Sequence, residues 1–468
     1  FKKNVMDRAG RLAVAGVKNA DPVMLAPAAG LVILAMWSNI VDKEIRGRLK
    51  GNMERFEKED TIDTTLRVLD RTGECGYLAG KLLAELGAEV IKVEPRTGDP
   101  ARHRGPFVGG PDPERSLPFL AQNTSKRGIT LDLAHPGARP VWEALVRNCQ
   151  VLLESVGDED SRQVGSFPAS DEEMLAWNPE LVICRISPFG RGGPYAARRG
   201  SDLTVVALGG NLYPTGNPDR APVRCTLPVS HFHGAIEAAV GVTFALWGVA
   251  TQGMGQVVDV SLQECMVMPN MTTPMQFPFT GFTGKRVGGG FRGGRAFFRE
   301  LWPCKDGYVS FALRGGPARI PGIKALVEYM EECGMAAPAL RNRNWDEYNH
   351  NLVTQEEVEE IEAALAAFFA TKSMQELFDA ACERSLLLAP ANTAREIVAS
   401  RQLAAREFFV RLEDPQRGLT LLYPGAFARN SLGNICLRGP APTLGQDNQQ
   451  IYQALGFDVE RLLREGVI

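Results

Sequence analysis

The chain has 468 residues, 44% hydrophobic and 23% charged, enough for two or three domains around a large core. Its 52 basic and 55 acidic groups leave a formal charge of −3, which argues against a nucleic-acid binder driven by phosphate neutralisation. The nine cysteines are dispersed and contain no Cys-x-x-Cys pair. That pattern argues against a disulfide framework or a zinc site and fits buried thiols in a reducing cytoplasm.

Residues 1–64 read as a helical N-terminal extension. Val23 to Val41 is apolar for almost the length of a membrane span, but Pro27, Gly30, Ser38 and Asn39 interrupt it. A packed or interface helix is expected there, and membrane insertion is not. Mixed charge from Val41 to Asp60 follows, as on a solvated helix face or an arm around a partner.

From Leu66 the pattern becomes regular. Leu66–Asp70 is a short apolar strand, Cys75–Leu86 has helical spacing at Leu78, Leu82, Leu83 and Leu86, and Ala88–Glu94 is a second strand. Strand, helix, glycine and strand form a βαβ unit with parallel strands. The unit recurs. Gly128–Leu133 is a strand, Pro136 opens a helix through Val146, and Val151–Glu154 is a strand. Asp171–Trp177 is a helix, and Leu181–Ser187 is the next strand. A doubly wound α/β sheet follows, with ligand loops expected at Glu94–Arg104, Glu154–Arg162 and Ser187–Arg199. Ala235–Val249 is then a small-residue helix and Val257–Ser261 a strand. Residues 265–300 read as loop. Asp306–Leu313 turns into a strand. Thr354 with Glu357, and Thr393 with Glu396, open helices through capping boxes, the second running to Phe409. Met374–Cys382 and Asp447–Leu463 are helical.

Several clusters suggest chemistry. Gly288–Gly294 holds five glycines in seven residues, a composition that suits either a ligand-covering loop or a plain linker; with no following Lys-Ser or Lys-Thr it is not a P-loop. Arg96, Arg102, Arg104, Lys126 and Arg127 follow strands, where they could meet phosphates or simply face solvent. His231 and His233 lie two apart before the expected helix, a poor spacing for a metal pair.

Longer motifs carry a resemblance. Leu82–Pro95 with Gly98-Asp99-Pro100-Ala101-Arg102, Asn123–Leu133, Asn178–Val182, Gly253–Leu262, Asp306–Val309 and Ala441–Asn448 occur in collinear order. Together they are similar to family III CoA-transferases of the formyl-CoA transferase and carnitine CoA-transferase (CaiB/BaiF-like) type. The resemblance implies a Rossmann-like large domain built from both chain ends, a smaller central α+β domain, and an interlocked dimer. It places the large domain at 65–280, a linker and small domain at 281–390, and a returning C-terminal segment at 391–468. It implies coenzyme A and acyl-CoA as substrates, with no covalently bound cofactor, and contacts to CoA at Glu74, Arg96, Arg102, Ser155, Gly288, Gly289 and Gly290. Glu74, Ser155 and Gln163 stand where relatives carry Gln, Asn and Arg.

The resemblance breaks at one position. Active members place a nucleophilic Asp in a Pro-Val-x-Asp pattern, and here Pro228-Val229-Ser230 is followed by His231; the nearest carboxylate, Glu237, is displaced along the helix. An imidazole cannot form the aspartyl anhydride and aspartyl-CoA thioester of that reaction. The expectation is a subunit without the nucleophile, working with a homologous subunit that carries the Asp, as in the two-subunit succinyl-CoA:benzylsuccinate CoA-transferases. It would move CoA between an acyl-CoA such as succinyl-CoA and an organic acid. A stand-alone acyl-CoA enzyme using His231 as base or nucleophile, and a non-enzymatic CoA-ester-binding scaffold, are the alternatives.

Overall fold

The computed structural model describes residues 66–156 and 169–468, apart from Leu432 and Asn434. The N-terminal extension, the Val23–Val41 segment and Gln163 lie outside the described residues.

Six strands, β1 (Arg67–Arg71), β2 (Glu89–Glu94), β3 (Arg127–Thr130), β4 (Val151–Ser155), β5 (Val182–Ser187) and β6 (Gln256–Ser261), form one sheet in the order β3-β2-β1-β4-β5-β6. Every pairing is parallel. The sequence-derived βαβ pattern therefore gives the α/β fold expected of it, since parallel neighbours need crossover helices that cover both faces. Alternation within each strand supplies the two cores. Leu69, Ile91, Ile129, Leu152 and Ile183 face one side, where Trp142 and Leu145 of the helix Ala138–Arg147 pack. Val68, Val90, Val151, Leu153 and Cys184 face the other, against Leu83 of the helix Tyr77–Leu86 and Ala235, Ala238 and Val242 of the helix Val229–Gln252.

The end of the chain closes the β3 edge. Asp447 accepts the Gly128 N–H at 2.8 Å, Asn448 accepts the Thr130 N–H at 2.9 Å, and the Tyr452 hydroxyl donates to the Thr130 carbonyl at 2.7 Å. These bonds satisfy an edge that would otherwise offer unpaired backbone groups. Residues 296–388 build a separate core around Trp302, Phe311, Leu326, Ile361 and Phe369.

Three expectations need correction. The helix expected from Ala235 begins at Val229, so His231 lies inside its first turn rather than ahead of it. Residues 265–300 are not loop. They hold the helices Leu262–Val267 and Thr272–Thr280, then the hairpin of β7 (Gly290–Gly293) and β8 (Ala296–Arg299). Phe291 stacks on Phe298 at 4.9 Å, and this pairing overrides the weak strand propensity of the glycines. The helix expected from Thr393 to Phe409 breaks into Ala394–Val398 and Arg401–Ala405, and Phe409–Asp414 pairs as a strand with Leu419–Pro424. Its capping box at Thr393 and Glu396 is present, as is that at Thr354 and Glu357.

Candidate active site

The strand order reverses between β1 and β4, and open α/β sheets bind ligands beyond the carboxyl ends of strands at such a point. Ser155 ends β4 there, and its hydroxyl accepts the Gly73 N–H from the turn after β1 at 2.7 Å. Glu74 follows in the same turn and bonds Arg104, from the loop after β2, at 2.5 Å.

Glu74 and Arg104 open onto a cavity of about 440 Å³ whose other walls include Asp202, Arg224, Pro228 and His231. A larger cavity, about 810 Å³, lies at the edge of the second core and is lined by Gly315, Lys324 and His350 among others. It contains none of the residues at the carboxyl edge of the large sheet, so the smaller cavity is the better candidate for chemistry.

Asp202 explains how His231 is placed. The helix Val229–Gln252 starts at Pro228 without a side-chain cap. Its first N–H groups need acceptors from elsewhere. Asp202, 7% exposed, supplies one: its Oδ1 accepts the Ser230 N–H at 3.0 Å and the Ser230 hydroxyl at 2.7 Å. A carboxylate also suits the positive end of the helix dipole. Its Oδ2 faces the Arg224 guanidinium at 3.6 Å. Next to Ser230, the His231 N–H bonds the Pro228 carbonyl at 3.1 Å, and its Nδ1 is buried with no hydrogen-bond partner among the described residues. His233 and Glu237 are exposed on the same helix.

The remaining sequence-predicted residues separate. Arg102 is 1% exposed and serves the fold. It forks onto Glu94 at 2.6 and 2.8 Å, and also bonds Glu114 and the Pro442 carbonyl, leaving no edge turned to a ligand. Lys126 is likewise buried against Asp70 at 2.7 Å. Neither the phosphate-binding nor the solvent-facing reading of these two side chains holds, because internal carboxylates claim them. Arg96 points at the end of the helix Val459–Glu465, with Nη1 3.4 Å from the Gly466 carbonyl. Arg127 bridges Glu89 and Asp447. Gly288, Gly289 and Gly290 do not line the His231 cavity. They lie against the Asn217 turn and β8, where Gly288 has φ +65° and a Cβ on Gly290 would come 2.0 Å from the Phe298 carbonyl.

Of the residues singled out from the sequence, Glu74 and His231 meet in this cavity; Asp202 and Arg224 beside them had not been singled out. The capping pattern of Ser201 with Thr204 marks the helix Asp202–Leu208, but nothing local ties Asp202 to Ser230.

Residues 65–448 match the model of CoA-transferase family III. The chain belongs to this family. It is 33% identical over 407 residues to the succinyl-CoA:(R)-benzylsuccinate CoA-transferase subunit BbsE of Thauera aromatica, covering 86% of this chain and 97% of that protein. It is 30% identical to a succinyl-CoA–D-citramalate CoA-transferase of Chloroflexus aurantiacus, over 81% of this chain and 90% of that one. A crystal structure of a CaiB/BaiF family protein from Brucella suis superposes with a TM-score of 0.70 at 26% identity, covering 83% of this chain and 98% of the other. This family III CoA-transferase thus carries an imidazole at the head of its 229–252 helix, inside the cavity at the sheet's carboxyl edge.

Proposed function

We propose that this chain is the subunit without the nucleophilic Asp in a heteromeric family III CoA-transferase. The complex moves CoA between an acyl-CoA such as succinyl-CoA and an organic acid. The observation that carries the reading is His231 in the cavity, where the family resemblance calls for a carboxylate. In the family reaction a carboxylate attacks the acyl-CoA carbonyl, giving a mixed anhydride and CoA thiolate. The thiolate attacks the enzyme carbonyl of that anhydride, releasing the first acid and leaving an enzyme-CoA thioester. The second acid attacks this thioester and expels CoA thiolate, which attacks the substrate carbonyl of the new anhydride, giving the product acyl-CoA and restoring the carboxylate. His231 cannot complete that cycle. Asp202, the buried carboxylate nearby, has one oxygen occupied by Ser230.

In this reading a homologous subunit supplies the Asp, and this chain contributes interlocking architecture and part of the CoA channel. Glu74, Ser155 and the glycines 288–290 line that channel, and the segments 65–280, 281–390 and 391–468 act as large domain, small domain and return. The relative named as a subunit supports a heteromer. None of the nine cysteines forms a disulfide among the described residues, which suits the cytoplasm.

The test compares the purified chain alone with the chain co-purified with an Asp-bearing homologue. CoA transfer from succinyl-CoA should need the pair, and transfer by this chain alone at the rate of the pair would overturn the proposal. His231→Ala in the pair separates a second reading, which the unpartnered Nδ1 favours. If His231 is a base or nucleophile, activity collapses; if the partner supplies the nucleophile, it stays within about twofold, a change of under ~0.5 kcal/mol in barrier.

A further inference from the structure

A second hollow, about 420 Å³, forms where the Gly288–Gly289 backbone meets the turn at Asn217 and Asp219. Arg286, Arg292 and Arg299 line it against one carboxylate, Asp219. That carboxylate is 72% exposed and leans toward Arg220 at 3.9 Å, so the hollow keeps an excess of positive charge. The guanidinium groups are propped on rings. Arg286 lies 5.1 Å above Tyr213 and donates to the Tyr213 carbonyl at 2.9 Å, while its Nε is buried without a partner among the described residues. Arg299 lies 5.3 Å above Trp302, and its backbone N–H donates to the Glu362 carboxylate at 2.6 Å. Arg292 is exposed on β7 opposite Phe297, which shares the hollow. Planar cations held this way lose little freedom when they grip an oxyanion.

One stretch of chain joins the hollow to the His231 cavity. The Gly288 N–H bonds the Gly216 carbonyl at 2.9 Å, and a Cβ on Gly288 would come 2.6 Å from Asn217 Oδ1. The segment from Asn217 then runs directly to Pro228 and His231.

We propose that Arg286, Arg292 and Arg299 form a receptor for a substrate-borne oxyanion, above all the carboxylate of a dicarboxylic acid that is not being activated. This deepens the acyl-transfer reading and rests on it. A phosphate of CoA has the same guanidinium chemistry, so the test separates the two sources. Calorimetry on the full chain compares succinate with the uncharged succinamide, and CoA with dephospho-CoA, for wild type, Arg292→Ala/Arg299→Ala and Arg292→Lys/Arg299→Lys.

The receptor predicts that succinate binds and succinamide, which carries no carboxylate, does not. The alanine pair should raise the succinate Kd about tenfold, with the lysine pair in between and thermal melting unchanged. If instead the CoA Kd rises while that of dephospho-CoA does not, the oxyanion is the CoA phosphate. Wild type binding neither succinate nor CoA, or both Kd values unchanged in the alanine pair, overturns the receptor. Binding is read without turnover. A receptor that behaves as expected in a complex inactive on every acyl-CoA would therefore count against the transferase reading and not against the receptor.

Discussion

At the scale of single residues, the cavity depends on Asp202 more than on the histidine that first drew attention. Asp202→Ala removes the acceptor for two Ser230 donors, and Ser230 is fully buried. Stranding those donors should cost roughly 2–4 kcal/mol, whereas Asp202→Asn, which keeps an acceptor oxygen, should cost about 1 kcal/mol. Urea denaturation of both variants checks the order, and equal losses would mean that the carboxylate charge, not the bond, holds the helix. Asp202 was not legible in the sequence because its partner lies 28 positions away across an irregular segment. His231 was legible, since a motif with one member changed marks its own place. Arg102 was misread for the same reason that Asp202 was missed. A side chain's exposure depends on distant carboxylates, here Glu94 and Glu114, that no local spacing reveals.

At the scale of elements, the sheet was readable because parallel strands buried on both faces are short apolar runs between helical periods. The 265–300 region was not, because stacking of Phe291 on Phe298 decides its hairpin. What no pattern announced is the charge packed under the strands' carboxyl ends. Lys126 and Asp70 are both fully buried at 2.7 Å, with Lys92 on Asp99 at 2.9 Å beside them. Burial by itself would raise the Asp70 carboxyl, but Lys126 and Lys92 together hold it below its ordinary value of 3.8. A depressed carboxyl contributes stability above its unfolded pKa and loses it as pH falls through the folded one. The wild-type unfolding free energy should therefore decline from about pH 4 downward. Lys126→Met breaks a buried pair and should cost about 3 kcal/mol at neutral pH. It also removes the main cause of the depression, so the acid limb of its stability curve should be shallower. Urea midpoints from pH 7 to pH 3 measure both effects, and an unchanged acid limb would refute the assignment to Asp70.

At the scale of the whole molecule, the helix Val229–Gln252 has two faces with different employment. Ala235, Ala238, Val242 and Ala245 pack into the core under the sheet. Ile236, Val240, Phe244 and Trp247 recur at helical spacing on the outside, with Phe244 73% and Trp247 55% exposed. The helix is long and apolar enough to cross a bilayer. Its inner face is nevertheless committed to the sheet, so a partner protein suits the outer stripe better than lipid. Met271, Met275 and Phe279, on or beside the helix Thr272–Thr280, are exposed as well. If the Asp-bearing subunit covers this stripe, two large rings gain burial worth about 1.5–3 kcal/mol each. Phe244→Glu/Trp247→Glu should then dissociate the complex in sedimentation velocity and abolish CoA transfer. The isolated chain should melt at an unchanged temperature, because neither ring contributes to its own core. Flotation with liposomes gives the opposing outcome a readout. Wild-type chain rising with the vesicles, and a double variant that stays with its partner, would assign the stripe to a membrane surface and remove it from the subunit interface.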